Sequence, residues 1–386
     1  MAAIIKFFGK LFKKETYEEE KVVLPTRKQI KEFKLTEFEI TATLGKGKFG
    51  RVRLARLFAT KELFALKIMK KTKVIKLGQF EHVLGEVTLL NLFNSNFIVN
   101  LVSHFQDETR LYMVFEFVPG GELFRLLRAR KCFTSAETMF YVSEIVLAFS
   151  YLHSMKIAYR DLKPENIMLT GGGHVKLVDF GLAKIIIDRT FTLCGTAEYL
   201  APEMIENKGH GMGVDWWALG ILTYEMLTGM PPFIAKTPFE IYKQISRGKV
   251  VYKKGYFDKK KGRKGLKKFV GGLLTHERRK RLGCGRGGAN DVKKEKWFEG
   301  LDWDAVGKLQ CEVPFVPRAG KAGEGEGEGE GEGEGEGGEG ALEGNGDRVI
   351  DHTCNFDSYP ESDEDIALPL NGKERELFDK FHNLGT

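Results

Sequence analysis

The sequence predicts an α+β protein of two lobes, a strand-rich one followed by a mainly helical one, and three observations carry that expectation. From Phe38 to about Val118, segments such as FEITATLG, RVRLARL, LFALKIM, IVNLVSHF and LYMVFEFV alternate with period two and are rich in β-branched residues. One helical stretch, around HVLGEVTLLNLF, interrupts them. From Gly121 to about Phe298 the pattern turns helical, as in SAETMFYVSEIVLAFSYLHSM and VDWWALGILTYEML. Strands first and helices afterwards is the order of an α+β chain.

Each region then has its own character. Residues 1–37 form an N-terminal extension. In its first fourteen residues, Ile4, Ile5, Phe7, Phe8, Leu11 and Phe12 share one helical face, and Lys6, Lys10, Lys13 and Lys14 share the other. Such a helix lies on an anionic membrane surface or docks on the protein's own core, and the sequence leaves both open. Residues 38–298 form the main domain, with a small lobe at 38–118 and a large lobe at 119–298. Residues 299–386 are a tail in which 323–340 run as an almost pure Gly-Glu alternation. That run cannot bury a core and is expected to be a disordered spacer, about 25 Å long on average as a flexible coil.

Composition narrows the function classes. With 386 residues and 42% hydrophobic content, the chain can bury more than one core. The formal charge is +7, yet the Gly-Glu run holds eight glutamates and no base, so the remainder carries +15. That balance favours anionic partners. Five widely spaced cysteines without a CxxC pair argue against a disulfide framework or a zinc site. No apolar run reaches the roughly 20 residues of a membrane span. The opening MAAIIKFFGKLFKKE is too short and interrupted for a secretion signal, and Ala2 excludes myristoylation. The expectation is an intracellular, cytoplasmic protein, with the nucleus and the membrane periphery left open.

The chemistry sits in a few short stretches. GKGKFGRV places Gly45, Gly47, Gly50 and Val52 between two strand-like segments, where glycines let backbone amides approach phosphate oxygens. A strand follows rather than a helix, which argues against a dinucleotide fold. Lys67, in FALKIM, sits in a buried-looking strand and needs a partner, for which Glu86 in the next helix is suited. In YRDLKPENIML, Asp161 is placed to orient an attacking hydroxyl, Lys163 to neutralise a phosphoryl group, and Asn166 to offer Mg²⁺ a neutral oxygen. Thirteen residues later Asp179, in LVDFGLA, supplies the charged ligand.

Together with Ala65-Leu66-Lys67, Tyr159-Arg160-Asp161, Asp179-Phe180-Gly181 and Ala201-Pro202-Glu203, these motifs resemble the signature set of eukaryotic protein kinases over roughly Phe38 to Phe298. DLKPEN and CGTAEY resemble the serine/threonine branch. LYMVFEFVPGGELF, RTFTLCGTAEYLAPE and VDWWALGILTYEML are similar to the catalytic subunits of cAMP-dependent protein kinases, in the AGC group that also holds the cGMP-dependent kinases.

The resemblance implies a bilobal kinase fold with an AGC tail wrapping both lobes, ATP as phosphoryl donor and Mg²⁺ as cofactor. Asp161, Lys163 and Thr196 are implied as catalytic, and Asn166 and Asp179 as metal ligands. Val52, Ala65, Phe115, Glu116, Val118, Met168 and Phe356 are implied around the adenine, with the bulk of Phe115 excluding large inhibitors. Asp215 and Arg281 match the residues that brace the catalytic loop and pair with Glu203. Phe378 and Phe381, in LFDKF, match a hydrophobic motif that docks on the small lobe.

Regulation and specificity follow by the same resemblance. Thr192 is implied as the activating phosphosite, with His82, Arg160 and Lys184 receiving its phosphate. Arg189 three residues before it makes autophosphorylation an expectation. Glu122, Glu165, Glu198 and Glu225 match the acidic residues that receive substrate arginines. The implied partners are protein substrates and a separate cyclic-nucleotide-binding regulatory subunit, with no nucleic acid.

The sequence departs from the family pattern at several points. Phe191 stands for a tryptophan of the regulatory docking surface, where Tyr242 keeps the second aromatic, and Ala197 stands for a proline. Extra basic residues appear within KKGYFDKKKGRKGLKK, Pro369 falls where a phosphorylated serine is usual, and HNLGT follows Phe381. A pseudokinase scaffold is the reading from another class, but it usually lacks the equivalents of Lys67, Asp161 or Asp179, all present here.

Overall fold

A computed structural model describes residues 31–257, 264–318, 320–321, 350–359, 370 and 372–382. The basic segment 1–14, the Gly-Glu run 323–340, the middle of the extra basic loop (258–263), Pro369 and residues 383–386 lie outside them.

The period-two segments become a five-stranded antiparallel sheet: β1 (Phe38–Lys46), β2 (Gly50–Leu57), β3 (Leu63–Lys70), β4 (Leu101–Gln106) and β5 (Arg110–Glu116), in the order β1-β2-β3-β5-β4. Because side chains alternate across a strand, register decides which residues share a face. Val52 pairs with Lys67, and Ala65 with Phe115, which puts all four on the face toward the large lobe. The opposite face buries Phe38, Ala55, Phe64, Leu66, Ile68, Tyr112 and Val114 in a cluster of its own, covered by Phe33 and Leu35.

Two helices interrupt the sheet. A short α1 (Lys71–Lys76) has too few residues for a period to register in sequence, and α2 (Phe80–Leu90) is the expected helix. Nearly every side chain of α2 is buried, Glu86 included.

In the large lobe, α3 (Leu123–Arg130) and α4 (Ser135–Ser154) precede the catalytic segment. Thr134 starts α4 by accepting a bond from Glu137 N, while the Glu137 carboxylate accepts one from Thr134 N, satisfying two orphan amides. Two short hairpin-like pairs follow, β6 (Ile157–Ala158) with β9 (Lys184–Ile185) and β7 (Ile167–Leu169) with β8 (Val175–Leu177). Helix α5 (Pro202–Ile205) leads into α6 (Gly213–Thr228), which is buried on every side except at Gly213, as its apolar residues on all faces require, and which takes Asp215 and Glu225 into the interior with it. Of the helices that follow, α7 (Pro238–Arg247) packs on α5, α8 (Leu266–Leu273) on α6, and α9 (Ala289–Lys293) and α10 (Trp303–Gly307) on α4.

Buried charge in this lobe is paired. Arg281 grips both oxygens of Glu203 at 2.7 and 2.8 Å and also donates to Thr275 O and Gly213 O. In α4 the Glu144 carboxylate lies 2.6 Å from His174 Nδ1 and accepts from Val175 N, tying α4 to β8.

The tail crosses both lobes. A short pair, β10 (Gly320–Lys321) and β11 (Ile350–Asp351), flanks the Gly-Glu run, and Asn355 donates to Pro119 O and Arg318 O. Phe356 stacks on Phe117. Helix α11 (Gly372–His382) seats Phe378 against Phe80 and Phe381 against His104, both fully buried. Among the described residues no helix is long and apolar enough to cross a membrane.

Replacing Arg281 with Met strands the buried Glu203 carboxylate and should cost about 3–5 kcal/mol. Urea denaturation of the two proteins side by side measures it, and an unchanged midpoint would contradict the pairing.

Candidate active site

A cleft of about 310 Å³ separates the lobes. Its roof is the lower face of the sheet, Val52, Ala65 and Phe115, and its floor is Met168 on β7 and Val178 after β8. Glu116, Phe117 and Val118 line the back, and Phe356 of the tail closes the side. Leu44, Val99, Val178 and Phe117 belong to this lining although the motifs pointed to none of them. In sequence they are apolar residues indistinguishable from core. Glu116 lines the cleft, but its carboxylate is held by Lys176 at 2.8 Å and by Asn100 N at 2.6 Å.

The three glycines of the β1–β2 turn differ in physical origin. A Cβ on Gly50 would fall 1.8 Å from Ile68 O, so the crossing of β2 over β3 demands glycine there. Gly45 has nothing within 4 Å of such a Cβ and Gly47 only its own turn at 3.7 Å, and both line the cleft. Their open side is space for a ligand and not for this chain's own atoms. That is what a phosphate approaching backbone amides requires.

Lys67 enters the cleft from β3 and bonds Glu86 at 2.7 and 3.1 Å, with Asp179 at 3.9 Å. Burial works against its ammonium, but the Glu86 and Asp179 charges outweigh burial and leave its pKa raised. The pair spans sheet and α2, so its formation reports that the helix is docked inward.

The catalytic segment is built around a buried carboxylate. Asp215 on α6, with no exposed surface, accepts from Tyr159 N at 2.9 Å and Arg160 N at 2.8 Å and lies 2.8 Å from His153 Nε2. These bonds hold Arg160 at φ +69°, a left-handed conformation costly for a bulky residue. Past that bend, Asp161 accepts from Lys163 Nζ at 2.9 Å and Asn166 Nδ2 at 2.8 Å, with Thr196 Oγ1 at 3.4 Å. Lys163 also reaches Thr196 Oγ1 at 3.3 Å. Asp179 likewise takes a left-handed φ of +55°, leaving its side chain more than half exposed toward Lys67. Phe180 behind it packs on Phe93 and Tyr159.

For Mg²⁺ the donor set fits. Asn166 spends its amide nitrogen on Asp161, which frees its carbonyl oxygen, and Asp179 is a solvent-facing carboxylate. Among the described residues no cluster of three or more His, Cys, Asp or Glu forms a self-contained metal cage. One Asp and one Asn suit an ion that takes most of its ligands from phosphate and water.

With this geometry the comparisons agree. A protein kinase domain profile matches residues 38–298. The chain belongs to the protein kinase family. The human and mouse cAMP-dependent protein kinase catalytic subunits named PRKX are 45% and 43% identical to this kinase, over 90% of its chain and 88% of theirs. The Drosophila melanogaster cAMP-dependent protein kinase catalytic subunit 3 is 40% identical over 92% of this chain and 55% of its own. The protein is thus a serine/threonine protein kinase, of a family that uses ATP, generally with Mg²⁺, and acts on proteins.

Other predicted residues are placed unequally. Glu122 stands just before α3 and lines the cleft with Glu165, its side chain not capping the helix; burial first, then Glu165 and Asp357, push its carboxyl up. Glu225 is buried and already engaged, accepting from Arg128 at 2.9 Å and from the Tyr199 hydroxyl. Glu198 is half-buried on the segment after Thr196.

Thr192 is exposed, whereas Lys184 donates to Thr190 Oγ1 at 3.0 Å. Burial, then the Arg160, Lys184 and Lys48 charges, depress the His82 pKa. Arg160 Nη1 is buried and has no hydrogen-bond partner among the described residues.

His210, which sequence reasoning passed over, is buried beside this group, and its backbone pairs with Thr190. Burial, then Arg160, push its pKa down to about 4. An unfolded chain binds a proton there near pH 6.5, which the native kinase refuses until about pH 4. Stability present above pH 6.5 is therefore lost as pH falls through that window, by about 3 kcal/mol in the limit. His210→Leu should flatten the decline in melting temperature from pH 7 to pH 4.5, and parallel curves would refute the assignment.

Replacing Asp161 by Asn should lower kcat by about 10²–10⁴-fold with ATP affinity retained, because Asp161 touches the hydroxyl side and not the nucleotide. Nucleotide titration alongside single-turnover transfer separates the two.

Proposed function

We propose that this kinase transfers the γ-phosphoryl group of Mg-ATP to serine or threonine hydroxyls preceded by arginines at positions −3 and −2. Its activity depends on a phosphate on Thr192 and is restrained by a separate cyclic-nucleotide-binding regulatory subunit. The observation that carries the chemistry is the convergence of Asp161, Lys163, Asn166 and Thr196 below a cleft that already contains the Lys67–Glu86 pair and Asp179.

The residues divide the work. Val52, Ala65, Val118, Met168 and Phe356 sandwich the adenine, while Gly45 and Gly47 cradle the phosphates and Lys67 holds them in place. Mg²⁺, held by Asp179 and Asn166, neutralises phosphate charge when bound. Asp161 accepts the hydroxyl's hydrogen bond and aligns its oxygen with the phosphorus. Lys163 neutralises the transferred group, and Thr196 keeps Asp161 and Lys163 in register.

Glu122 and Glu165 at the mouth offer carboxylates to substrate guanidinium groups. Glu225 acts through Arg128 and Tyr199 and is available to a substrate only by exchange of Arg128. The orphaned Arg160 Nη1, with Lys184 and His82, supports a phosphate on Thr192. The regulatory subunit is supported by the relatives' designation as catalytic subunits.

Transfer from Mg-ATP to a serine peptide series varying arginine at −3 and −2 tests this reading, with Asp179→Ala as control. Robust transfer that falls when either arginine is removed, and vanishes in the control, is the expected result. No transfer by folded protein carrying phosphate on Thr192 would overturn it. Mass spectrometry should find Thr192 phosphate on the wild type and not on Asp161→Asn from the same host; equal occupancy would disprove autophosphorylation.

A further inference from the structure

The glycine-rich turn carries lysines at 46 and 48 between its glycines. Lys46 is exposed and lines the cleft together with Glu122 and Glu165. Its ammonium lies 5.7 Å from the ring centroid of Tyr359, which joins the β1–β2 turn of the small lobe to the tail. Tyr359 belongs to the acidic mouth: burial, then the Asp357 and Glu122 charges, raise its hydroxyl pKa, and Asp357 and Glu165 act on Glu122. The chain thus places its own cation over the aromatic face of Tyr359, in the cleft that Glu122 and Glu165 also line.

A guanidinium arriving at this mouth seeks the same two things, the face of an aromatic ring and carboxylate oxygens. We propose that Lys46 is a specificity-determining residue: an internal cation that occupies the subsite of Tyr359, Glu122 and Asp357 and competes with the substrate's −3 arginine. The proposal rests on the arginine-subsite reading of Glu122 given above. Lys46 holds its place as a hydrated point charge on a flexible stem, whereas arginine brings a planar fork that stacks and bonds at once. Arginine therefore displaces lysine, at a cost in affinity that a neutral residue at −3, which leaves Lys46 in place, does not bear. The built-in lysine damps the preference for arginine.

The test compares kcat/KM at saturating Mg-ATP for two peptides that differ only by Arg or Ala at −3. It uses the full chain phosphorylated on Thr192, as wild type, Lys46→Gln and Lys46→Arg. The ratio between peptides cancels any change in nucleotide binding or turnover common to both. Lys46→Gln should raise the Arg/Ala ratio by about three- to fivefold, the scale of a lost exposed cation–π contact. Lys46→Arg, a stronger competitor by the same argument, should lower it below the wild-type value. An unchanged or smaller ratio in Lys46→Gln, or the same rise in Lys46→Arg, overturns the competitor role. Absence of any Arg/Ala discrimination in all three proteins overturns the subsite itself.

Discussion

The buried carboxylate of Asp215 is the constraint from which the active site follows. It has no solvent, so its charge must be met by donors, and besides the His153 ring these are the backbone amides of Tyr159 and Arg160. Meeting them bends the chain into a left-handed turn at Arg160 that no local preference would choose. The bend sends Tyr159 inward to bond Val178 O, Arg160 toward the activation segment, and Asp161 toward the cleft. One desolvated anion in α6 thereby sets the direction of three consecutive side chains with three different tasks.

The Lys67–Glu86 pair plays the corresponding part in the small lobe, by a different logic. It is only partly screened from water, and its two members come from elements with little else in common, a strand and a helix. Its strength lies in geometry more than in net stability, since desolvation offsets much of the attraction. Glu116 and Lys176 add a third ionic link where β5 meets β8. The lobes are thus joined by Glu116–Lys176 as well as by an apolar core that continues from Val83, Leu84 and Val87 into the large lobe.

Much of this was legible in the sequence, for identifiable reasons. Period-two alternation marked β1 to β3 because one face of that sheet closes over an apolar cluster while the other opens on the cleft. The glycine turn, Lys67, Asp161, Asn166 and Asp179 stood out as polar or flexible residues between apolar segments. Leu44, Val99 and Val178 did not, because a residue that lines a cleft and one that fills a core look alike in sequence. Glu225 shows the opposite failure: its acidity was visible, but not that Arg128 and Tyr199 already engage it. His210 escaped because its significance comes from distant cations and a backbone bridge, neither of which leaves a local pattern. Gly50 was read with Gly45 and Gly47 as one motif, yet only packing against Ile68 separates its role from theirs.

The seating of Phe378 and Phe381 on the small lobe bears on how the protein comes into being. The sheet they cover is synthesised early, and Gln106 waits 272 residues for its bond to Phe378 O. Until those residues leave the ribosome, the pocket between Phe80, Lys71 and His104 is an open apolar surface. A nascent chain therefore carries a nearly complete nucleotide lobe with an unsealed flank, the kind of surface that chaperones hold. The small lobe is closed only by residues made after the whole large lobe, and a ribosome that stalls within the acidic run leaves a product whose small lobe is never closed.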